Sequence, residues 1–398
     1  MYKTKVIKTT NRDRILECLF RNPCISRKDV SDLTGITPAT VTTTVAAMVE
    51  EKLLVERGRM EEDRGTIGRS RIALDINPLY CWVIGVECTL SALTACVTDL
   101  RGRILYQKTT PYSAEMGQNI TRLVIESIAD CIAASDLPME TLAGIGIAVP
   151  GHMDKACKRL ISNNALWTNF DGTAIREAFS VPVVFENNVR CMAVSRFLHD
   201  PANTPSNFAL FHVGRGMYCA HIADDELYIG STYGSGEIAH TIAVPDGKRC
   251  ECGKRGCLQT VATEAALLEN AAVIFRRSED TMLRGFAKTP EELTVEHILT
   301  AYDLGDLPVR RMIAQVLRHL CIAALNVAIL MNPEKIYFHG ALFNHESIQK
   351  DILEQIREQF DFKGNNYQLG SVSFWHSDIT DGAVGGAALA IFKCVIHM

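Results

Sequence analysis

The sequence lacks the features of a membrane or secreted protein. No positively charged start is followed by an apolar run, and we expect no segment long and apolar enough to span a bilayer. The 14 cysteines lack the dense, even spacing of a disulfide scaffold; several stand singly in predicted helices and strands, namely Cys18, Cys81, Cys96, Cys131, Cys191 and Cys321. We therefore expect a soluble protein of the reducing cytoplasm with no membrane partner.

The sequence also lacks a strong excess of charge of either sign, because the net charge is only −5 over 398 residues. With 47% hydrophobic and 22% charged residues, the chain is typical of a globular protein with two or three domains. The charge is uneven: residues 1–75 carry fourteen Lys and Arg against eleven Asp and Glu, and the remainder carries 27 against 35. A basic head before an acidic body fits nucleic-acid binding, but charge alone fits a solvated surface equally well.

Four side chains form a pattern typical of a metal site: His240, Cys250, Cys252 and Cys257. Three thiolates and one imidazole are the ligands of a closed, tetrahedral structural zinc site, and two glycines between the last two cysteines allow the backbone to turn. None of the other eleven cysteines forms a comparable cluster. The pattern predicts structural Zn²⁺, with three inert, buried cysteines as the alternative.

The head begins with three short predicted helices. The first starts at about Asn11 as a capping residue and ends before Pro23. The second starts at Ser26 with a capping box, is expected to bury Val30 and Leu33, and ends at a left-handed glycine. The third is opened by Thr37 and Pro38, and its inner face carries valines and a methionine.

The outer face of the third helix carries short side chains, which let a backbone approach a surface closely. Two helices joined by a turn, the second with a small polar outer face, indicate a helix-turn-helix whose recognition helix enters the major groove. Threonine can hydrogen-bond a base edge, and its methyl group can contact thymine. The predicted DNA contacts of this part are Arg27, Thr37, Ala39, Thr40, Thr42 and Thr43. A three-helix protein-interaction module is the alternative.

A wing is predicted after the third helix. An extended segment from Leu53, an arginine-rich loop and a strand from Arg71 to Ile76 complete a winged helix-turn-helix, and wing arginines can contact phosphate. Arg64, Arg69 and Arg71 are therefore further predicted DNA contacts. Asn77-Pro78 breaks the pattern, so we expect a DNA-binding domain over residues 1–77.

The body, residues 78–398, shows two β-rich openings, each completed by helices. Apolar strands begin near Trp82 and again near Phe208, and both are followed by further short strands. This repetition predicts an α/β body of two lobes around a cleft. We expect lobe one over about 78–197 plus a C-terminal helix at about 380–398, and lobe two over about 198–379.

Several motifs of the body and head together resemble the ROK family, which groups sugar kinases with sugar-responsive transcriptional repressors. They are Ala148-Val149-Pro150-Gly151, Glu186-Asn187-Asn188, Gly236-Glu237-Ile238-Ala239-His240, Gly256-Cys257-Leu258 and Asp381-Gly382-Ala383, with Leu33-Thr34-Gly35 and Asp75-Ile76-Asn77-Pro78 in the head. The resemblance implies an actin and hexokinase-like (ribonuclease H-like) body, and the head is similar to that of the repressor branch.

The resemblance also implies where a kinase would carry its catalytic groups. The family's kinases have an aspartate as general base at the position of Asn188, and an amide cannot accept that proton at neutral pH. At the positions of the kinases' two phosphate-binding turns, this sequence has Glu87-Cys88-Thr89-Leu90-Ser91 and Gly214-Arg215-Gly216-Met217-Tyr218. A Gly-Gly pair of the kinases is replaced by Gly340-Ala341. We expect no kinase activity and no catalytic residue.

Sugar binding is a separate expectation, which follows from the resemblance. The residues that it implies for the effector are Asn164, Asn187, Asn188, Glu237, His240 and Gln259. Amides and carboxylates supply the paired donors and acceptors that sugar hydroxyls need. The alternative is that these groups only satisfy loops in an empty cleft.

The sequence as a whole predicts a sugar-responsive transcriptional regulator, most simply a repressor, of carbohydrate metabolism. Its partners would be operator DNA, a sugar or sugar phosphate, and a second copy in a homodimer, or four copies in a tetramer. The alternatives are a ROK sugar kinase that also regulates, and a constitutive DNA-binding protein with a vestigial cleft. His240 has two ring nitrogens, so one can bind zinc while the other contacts the sugar.

Overall fold

The computed structural model describes residues 10–59, 71–90, 92–111, 119–154, 158–162, 165–231, 234–359 and 371–397. The chain divides into two compact units, Met1–Thr204 with Ile379–Met398, and Pro205–Asp378. The predicted head and first lobe both fall in the first unit. The boundaries expected from the sequence, including the one at residue 77, stay predictions.

The head is a winged helix-turn-helix, as predicted. Its elements are α1 (Asn11–Arg21), β1 (Ile25–Ser26), α2 (Arg27–Thr34), α3 (Pro38–Glu50), β2 (Leu54–Arg59) and β3 (Ile72–Ile76). The strands form one sheet in the order β1-β3-β2, with both pairings antiparallel. Strand β3 therefore joins the wing to the segment that precedes α2.

Reciprocal capping boxes fix where the first two helices begin. Ser26 and Asp29 form the predicted box at α2. At α1 the N-cap is Thr10 rather than Asn11, because the side chains of Thr10 and Asp13 each accept from the backbone N–H of the other residue. The expectation that Leu33 is buried was wrong: it is 61% exposed, since Val30 and Ser31 define the buried face of α2.

The first lobe is built on a five-stranded sheet in the order β10-β7-β4-β5-β6. Strands β10, β7 and β4 run parallel, whereas β5 and β6 are antiparallel additions. The elements are β4 (Trp82–Cys88), β5 (Ala92–Thr98), β6 (Ile104–Pro111), α4 (Ile120–Ser135), β7 (Leu142–Val149), β8 (His152–Met153), β9 (Leu160–Ile161), α5 (Gly172–Glu177), β10 (Val183–Asn187) and α6 (Asn188–His199).

The second unit has the same pattern, with a sheet in the order β13-β12-β11-β14-β15. Strands β11, β14 and β15 run parallel. The elements are β11 (Phe208–Val213), β12 (Met217–Ala223), β13 (Glu226–Leu227), α7 (Gln259–Ala262), α8 (Glu264–Arg277), α9 (Leu283–Phe286), α10 (Val295–Leu304), α11 (Leu307–Met331), β14 (Lys335–His339), α12 (Glu346–Gln359) and β15 (Ser371–Trp375). Two such α/β sheets confirm the fold class expected from the sequence.

Helix α11 corrects one expectation. Over its most apolar window its mean hydropathy is 1.8, so by length and composition it could cross a membrane. Just over half of that window, 56%, is buried inside the protein, where residues such as Ile313, Leu317 and Leu320 belong to the core of the second unit. The apolar character of this helix is accounted for by packing over that buried part.

The last helix, α13 (Asp381–Ile391), belongs to the first unit and lies directly on its sheet. A Cβ atom added to Gly85 on β4 would stand 1.9 Å from the Ala383 carbonyl oxygen, and one added to Gly146 on β7 would stand 1.8 Å from that of Gly386. Only glycine permits such close approach of strand and helix backbones. Helix α13 is thereby fixed over β4 and β7, and β4 carries Glu87 of the candidate site.

Candidate functional site

His240 ends the single 3₁₀ turn Ile238–His240, and the three predicted cysteine ligands lie on the compact loop between this turn and α7. Gly253 and Gly256 have φ angles of +90° and +73°, which L side chains rarely adopt. A Cβ atom on Gly256 would also stand 1.7 Å from the carbonyl oxygen of Val244. The two glycines therefore allow the turns that bring the cysteines together.

The structure brings all four predicted ligands into one cluster. One ligand atom from each of His240, Cys250, Cys252 and Cys257 lies within 4.8 Å of every other. The Nδ1 atom of His240 is 3.6 Å from Cys250 Sγ, and Cys252 Sγ is 3.6 Å from Cys257 Sγ. Sulfur ligands at zinc-bond length around a tetrahedral ion stand roughly 3.8 Å apart, so the donor set and its spacing fit a closed zinc site.

The two ring nitrogens of His240 face different groups. While Nδ1 faces the thiol cluster, Nε2 lies 3.9 Å from Oε2 of Glu237, three residues earlier. The side chains of both residues are partly exposed, at 24% and 36%. A metal on Nδ1 would fix the ring orientation and leave Nε2 beside the carboxylate.

Of the other effector residues predicted in the second unit, Gln259 begins α7. Its Nε2 atom donates at 3.0 Å to Oε1 of Glu251, which lies in the loop that carries the three cysteines. Glu237 and Gln259 are thus both attached to the cysteine cluster and its loop, Glu237 through His240 and Gln259 through Glu251. The predicted residue Asn164 lies outside the described residues.

In the first unit, Asn187 ends β10 and caps α6. Its Oδ1 accepts from the N–H groups of Val189 at 3.0 Å and Arg190 at 3.3 Å, and its Nδ2 donates to the carbonyl of Gly151 at 3.2 Å. The residue is buried, with 3% exposed. Asn187 is therefore largely occupied in holding the start of the helix, which its resemblance-based assignment did not anticipate.

Asn188 is the first residue of α6 and contacts a buried acid. Its Nδ2 atom donates to Oε1 of Glu87, the second-to-last residue of β4, at 3.2 Å. Glu87 is 7% exposed, and burial together with the nearby Asp381 charge raises its pKa to about 7, although the Asn188 amide opposes the rise. The Asn188 amide, which the resemblance places where a kinase has its base, is thus paired with a carboxyl group.

The ends of the parallel strands in the second unit carry a row of rings that sequence reasoning missed. His212 on β11 and His339 on β14 are direct partners in register, and their Nδ1 atoms are 2.8 Å apart. The ring of Trp375 on β15 lies 4.7 Å from that of His339. Burial, together with the neighbouring His339, lowers the pKa of His212 to about 3, so His212 is neutral near pH 7. His212 lies two residues before Gly214, and His339 lies one residue before Gly340. This proximity to the altered turns is the sequence signal that could have identified the two histidines.

The candidate DNA interface is the exposed face of α3. The hydroxyls of Thr42 and Thr43 donate to the carbonyls of Pro38 at 2.8 Å and Ala39 at 3.1 Å, while Thr37 and Thr40 bond each other. Because the hydroxyl protons of Thr42 and Thr43 are used inside the helix, these side chains present methyl groups and acceptor lone pairs outward.

The arginines predicted to contact DNA are paired where the structure describes them. Arg27 lies 2.9 Å from Glu56 of strand β2, and Arg71 lies 3.3 Å from Asp29 of α2. Both are contacts between the helix-turn-helix and the wing. Arg64 and Arg69 lie outside the described residues.

Several contacts join the head to the first lobe inside the first unit. Arg101, in the turn between β5 and β6, binds Asp75 of the wing and donates to the Phe20 carbonyl at the end of α1 at 3.0 Å. The Arg21 guanidinium lies 4.3 Å from the ring centre of Phe197 on α6. At the other end of the chain, His397 lies between two carboxylates of α1.

Comparison with known proteins gives relatives along nearly the whole chain. The xylose repressor of Bacillus subtilis is 24% identical over 369 residues, which cover 91% of each chain. The N-acetylglucosamine repressor of Shigella flexneri is 23% identical over 352 residues, 88% of this chain and 84% of the repressor.

Solved structures show the same fold. A ROK family transcriptional regulator, described as a homologue of the Escherichia coli MLC protein, superposes with a TM-score of 0.75 at 23% identity and 97% coverage of both chains. A ROK family glucokinase from Streptomyces griseus, in complex with glucose and AMPPNP, gives 0.68 at 22% identity over 77% of this chain and 98% of its own. A winged helix-turn-helix DNA-binding model matches residues 10–55, and the ROK family model matches residues 83–393. The chain therefore belongs to the ROK family.

Proposed function

We propose that the protein is a sugar-responsive, DNA-binding transcriptional regulator, acting as a repressor of carbohydrate metabolism. The observation that carries the proposal is helix α6. It begins at Asn188, a predicted effector residue, and its last turns carry Phe197, which lies against Arg21 of the DNA-binding head. A 12-residue helix spans roughly 18 Å, so one rigid element reaches from the predicted sugar contact to the head.

DNA binding in this proposal rests on the winged helix-turn-helix. The exposed threonine face of α3 enters the major groove, and its methyl groups and hydroxyl acceptors contact base edges. The ion pairs of Arg27 and Arg71 with their carboxylate partners hold the wing against the helix-turn-helix. Arg64 and Arg69 remain proposed phosphate contacts.

The effector in this proposal is a sugar or sugar phosphate. Its proposed contacts are those that the resemblance implies, namely Asn164, Asn187, Asn188, Glu237, His240 and Gln259. Sugar binding changes the affinity for DNA only if it favours one arrangement of the head, and α6 supplies a physical connection for that preference. The heads of a homodimer would read paired half-sites, with a tetramer as a further assembly.

Three further features complete the proposal. The metal cluster holds structural Zn²⁺, which orients His240. The protein has no kinase activity, because Asn188 donates to Glu87 and an amide cannot act as the general base. Its location is the cytoplasm, where operator DNA and sugar are both accessible.

The test is fluorescence anisotropy with DNA from the promoter of the operon next to the gene, titrated with D-xylose, N-acetylglucosamine and D-glucose and with epimers of each. We expect specific binding that one sugar weakens or strengthens and its epimers do not. Thr43→Glu places a negative charge on the α3 face and should reduce affinity at least tenfold, because phosphate repels it. Asn326→Glu, which adds the same charge on an exposed site of α11, should not. Binding that no sugar changes would contradict sugar sensing.

A further inference from the structure

The contact between Glu87 and Asn188 joins two residues that are far apart in the chain. Glu87 lies on β4 and Asn188 follows β10, and the two strands are separated by β7. In the sheet register, Glu87 and Glu186 are both partners of Ala148, so Glu87 lies in the same row as the motif that contains Asn188. The two side chains meet where these parallel strands end.

The surroundings fix the Glu87 carboxyl group in place. A Cβ atom on Gly382, at the start of α13, would stand 1.9 Å from Cδ of Glu87. The carboxyl group therefore rests directly on the helix backbone. The neighbouring acid Glu186 has a buried cation, because Arg190 lies 3.2 Å from it and is 1% exposed. Among the described residues, Glu87 has no such cation and meets the Asn188 amide instead.

This contact determines which atom of the amide is free. The Nδ2 atom of Asn188 is held by Glu87, and within the described ranges no hydrogen-bond partner is found for Oδ1. Asn188 is partly exposed, unlike the buried Asn187. Above its pKa of about 7, Glu87 is an acceptor-only carboxylate next to Nδ2, and it then disfavours the flipped amide, in which two oxygens would face each other.

We infer that Glu87 is a positioning residue for effector recognition: it turns Oδ1 of Asn188 outward, so that position 188 reads a sugar hydroxyl as a hydrogen-bond acceptor. The inference rests on the proposed function, which makes Asn188 an effector contact. The class of ligand group is a hydroxyl or amide N–H, which can donate. A fluorine or ether oxygen at the same place would face Oδ1 without a proton between them.

Three substitutions of Glu87 distinguish a role in positioning Asn188 from a role in packing. Glu87→Leu removes the acceptor at similar volume. Glu87→Asp keeps a buried carboxyl group but withdraws it by about 1.5 Å, one C–C bond, beyond hydrogen-bond reach of Nδ2. Glu87→Gln keeps an acceptor oxygen at the original length and serves as the conservative rescue.

The first measurement needs no sugar. In protein selectively labelled with ¹⁵N-asparagine, the side-chain NH₂ signal of Asn188 is assigned by its loss in Asn188→Ala. We expect this signal to move in Glu87→Leu and Glu87→Asp and to stay near its wild-type position in Glu87→Gln. An unmoved signal in a folded Glu87→Asp or Glu87→Leu variant overturns the inference.

The second measurement is the ratio of affinities for a sugar and for its monofluoro analogues, starting from D-xylose, N-acetylglucosamine and D-glucose. In the wild type and Glu87→Gln, the affinity for the sugar should exceed that for the analogue fluorinated at one ring position by at least tenfold. In Glu87→Leu and Glu87→Asp, this ratio of affinities should fall towards one. Affinities that fall together with an unchanged ratio would assign Glu87 a packing role and overturn the inference. If the wild type binds none of the sugars, the proposed function fails and the effector role of Glu87 fails with it, whereas the NMR result still reports the contact.

Discussion

Arg101 and Asp75 form an ion pair that fastens the wing of the head to the sheet of the first lobe. Asp75 is also 3.4 Å from Arg57 of strand β2, and Arg101 donates to the backbone carbonyl that ends α1. One guanidinium therefore holds a helix end and a wing strand at the same time. A movement of the β5–β6 turn would therefore displace both α1 and the wing of the DNA-binding head.

Arg101→Ala should destabilise the protein and weaken the sugar response. Asp75 is only 9% exposed and, among the described residues, would keep Arg57 as its single ion-pair partner, so we expect a loss of about 1–3 kcal/mol in the free energy of unfolding. Urea denaturation gives the stability, and operator anisotropy with and without sugar gives the response. Arg103→Ala, two residues along the chain at an exposed position, is the matched control and should change neither. Equal behaviour of the two variants would contradict the role of Arg101.

Cys252→Ser should remove the bound metal and weaken the sugar response in protein that still folds and binds DNA. The loss of one thiolate opens the tetrahedral set, and His240 loses the ion that orients its ring. Elemental analysis should find about one zinc ion per wild-type chain and far less in the variant. Cys24→Ser changes a cysteine outside the cluster and should retain the metal. A normal sugar response in metal-free Cys252→Ser protein would limit the cluster to a structural role.

Asn188→Asp should not create a sugar kinase. The new carboxyl group would lie beside the buried Glu87, and two acids that share a site hold a proton between them because both cannot ionise. The restored aspartate then competes with Glu87 for that proton, and the altered phosphate turns with Leu90 and Arg215 remain, so we expect no turnover. A coupled assay for ADP release over a panel of sugars, with Asn188→Ala as the background control, measures this. Sugar-dependent turnover in Asn188→Asp alone would show that the amide was the sole obstacle.

The stability of the protein should depend on the ionisation of Glu87. Its pKa is about 7 in the folded protein and 4.5 ordinarily, so the folded chain binds more protons between these values. The stabilisation is complete below about pH 4.5 and is lost as the pH rises through 7. Glu87→Gln removes this loss, and its stability relative to wild type should rise across the window by up to about 1.4 kcal/mol per pH unit. Denaturation midpoints from pH 5 to 8 test this, with the exposed Glu226→Gln as control, and parallel curves would contradict it.

Local signals in the sequence were sufficient for the parts of the molecule that local chemistry determines. The capping box of Ser26 and Asp29, the glycine turns of the metal loop and the four ligands all lie within short stretches, where spacing predicts geometry. The metal ion itself stays a prediction. The burial of Leu33 was predicted wrongly, because an eight-residue helix gives too little periodicity to define its buried face.

Contacts between distant residues could not be predicted in this way. Arg27 and Glu56 are 29 positions apart, and Glu87 and Asn188 are 101 apart. Their meeting depends on strand order and register, which no local pattern specifies. The resemblance to a family supplied the positions of the candidate effector residues, but not that Asn187 is occupied as a helix cap or that Asn188 contacts Glu87.

The glycine contacts between the first sheet and α13 have a consequence for synthesis on the ribosome. Strands β4 and β7 are made early, but the helix that covers them follows the whole second unit, Pro205–Asp378. The second unit can fold as soon as it emerges, whereas the first lobe exposes the glycine-rich face of its sheet until the last helix is translated. The nascent first lobe is therefore the stage at which we expect chaperones to bind this protein.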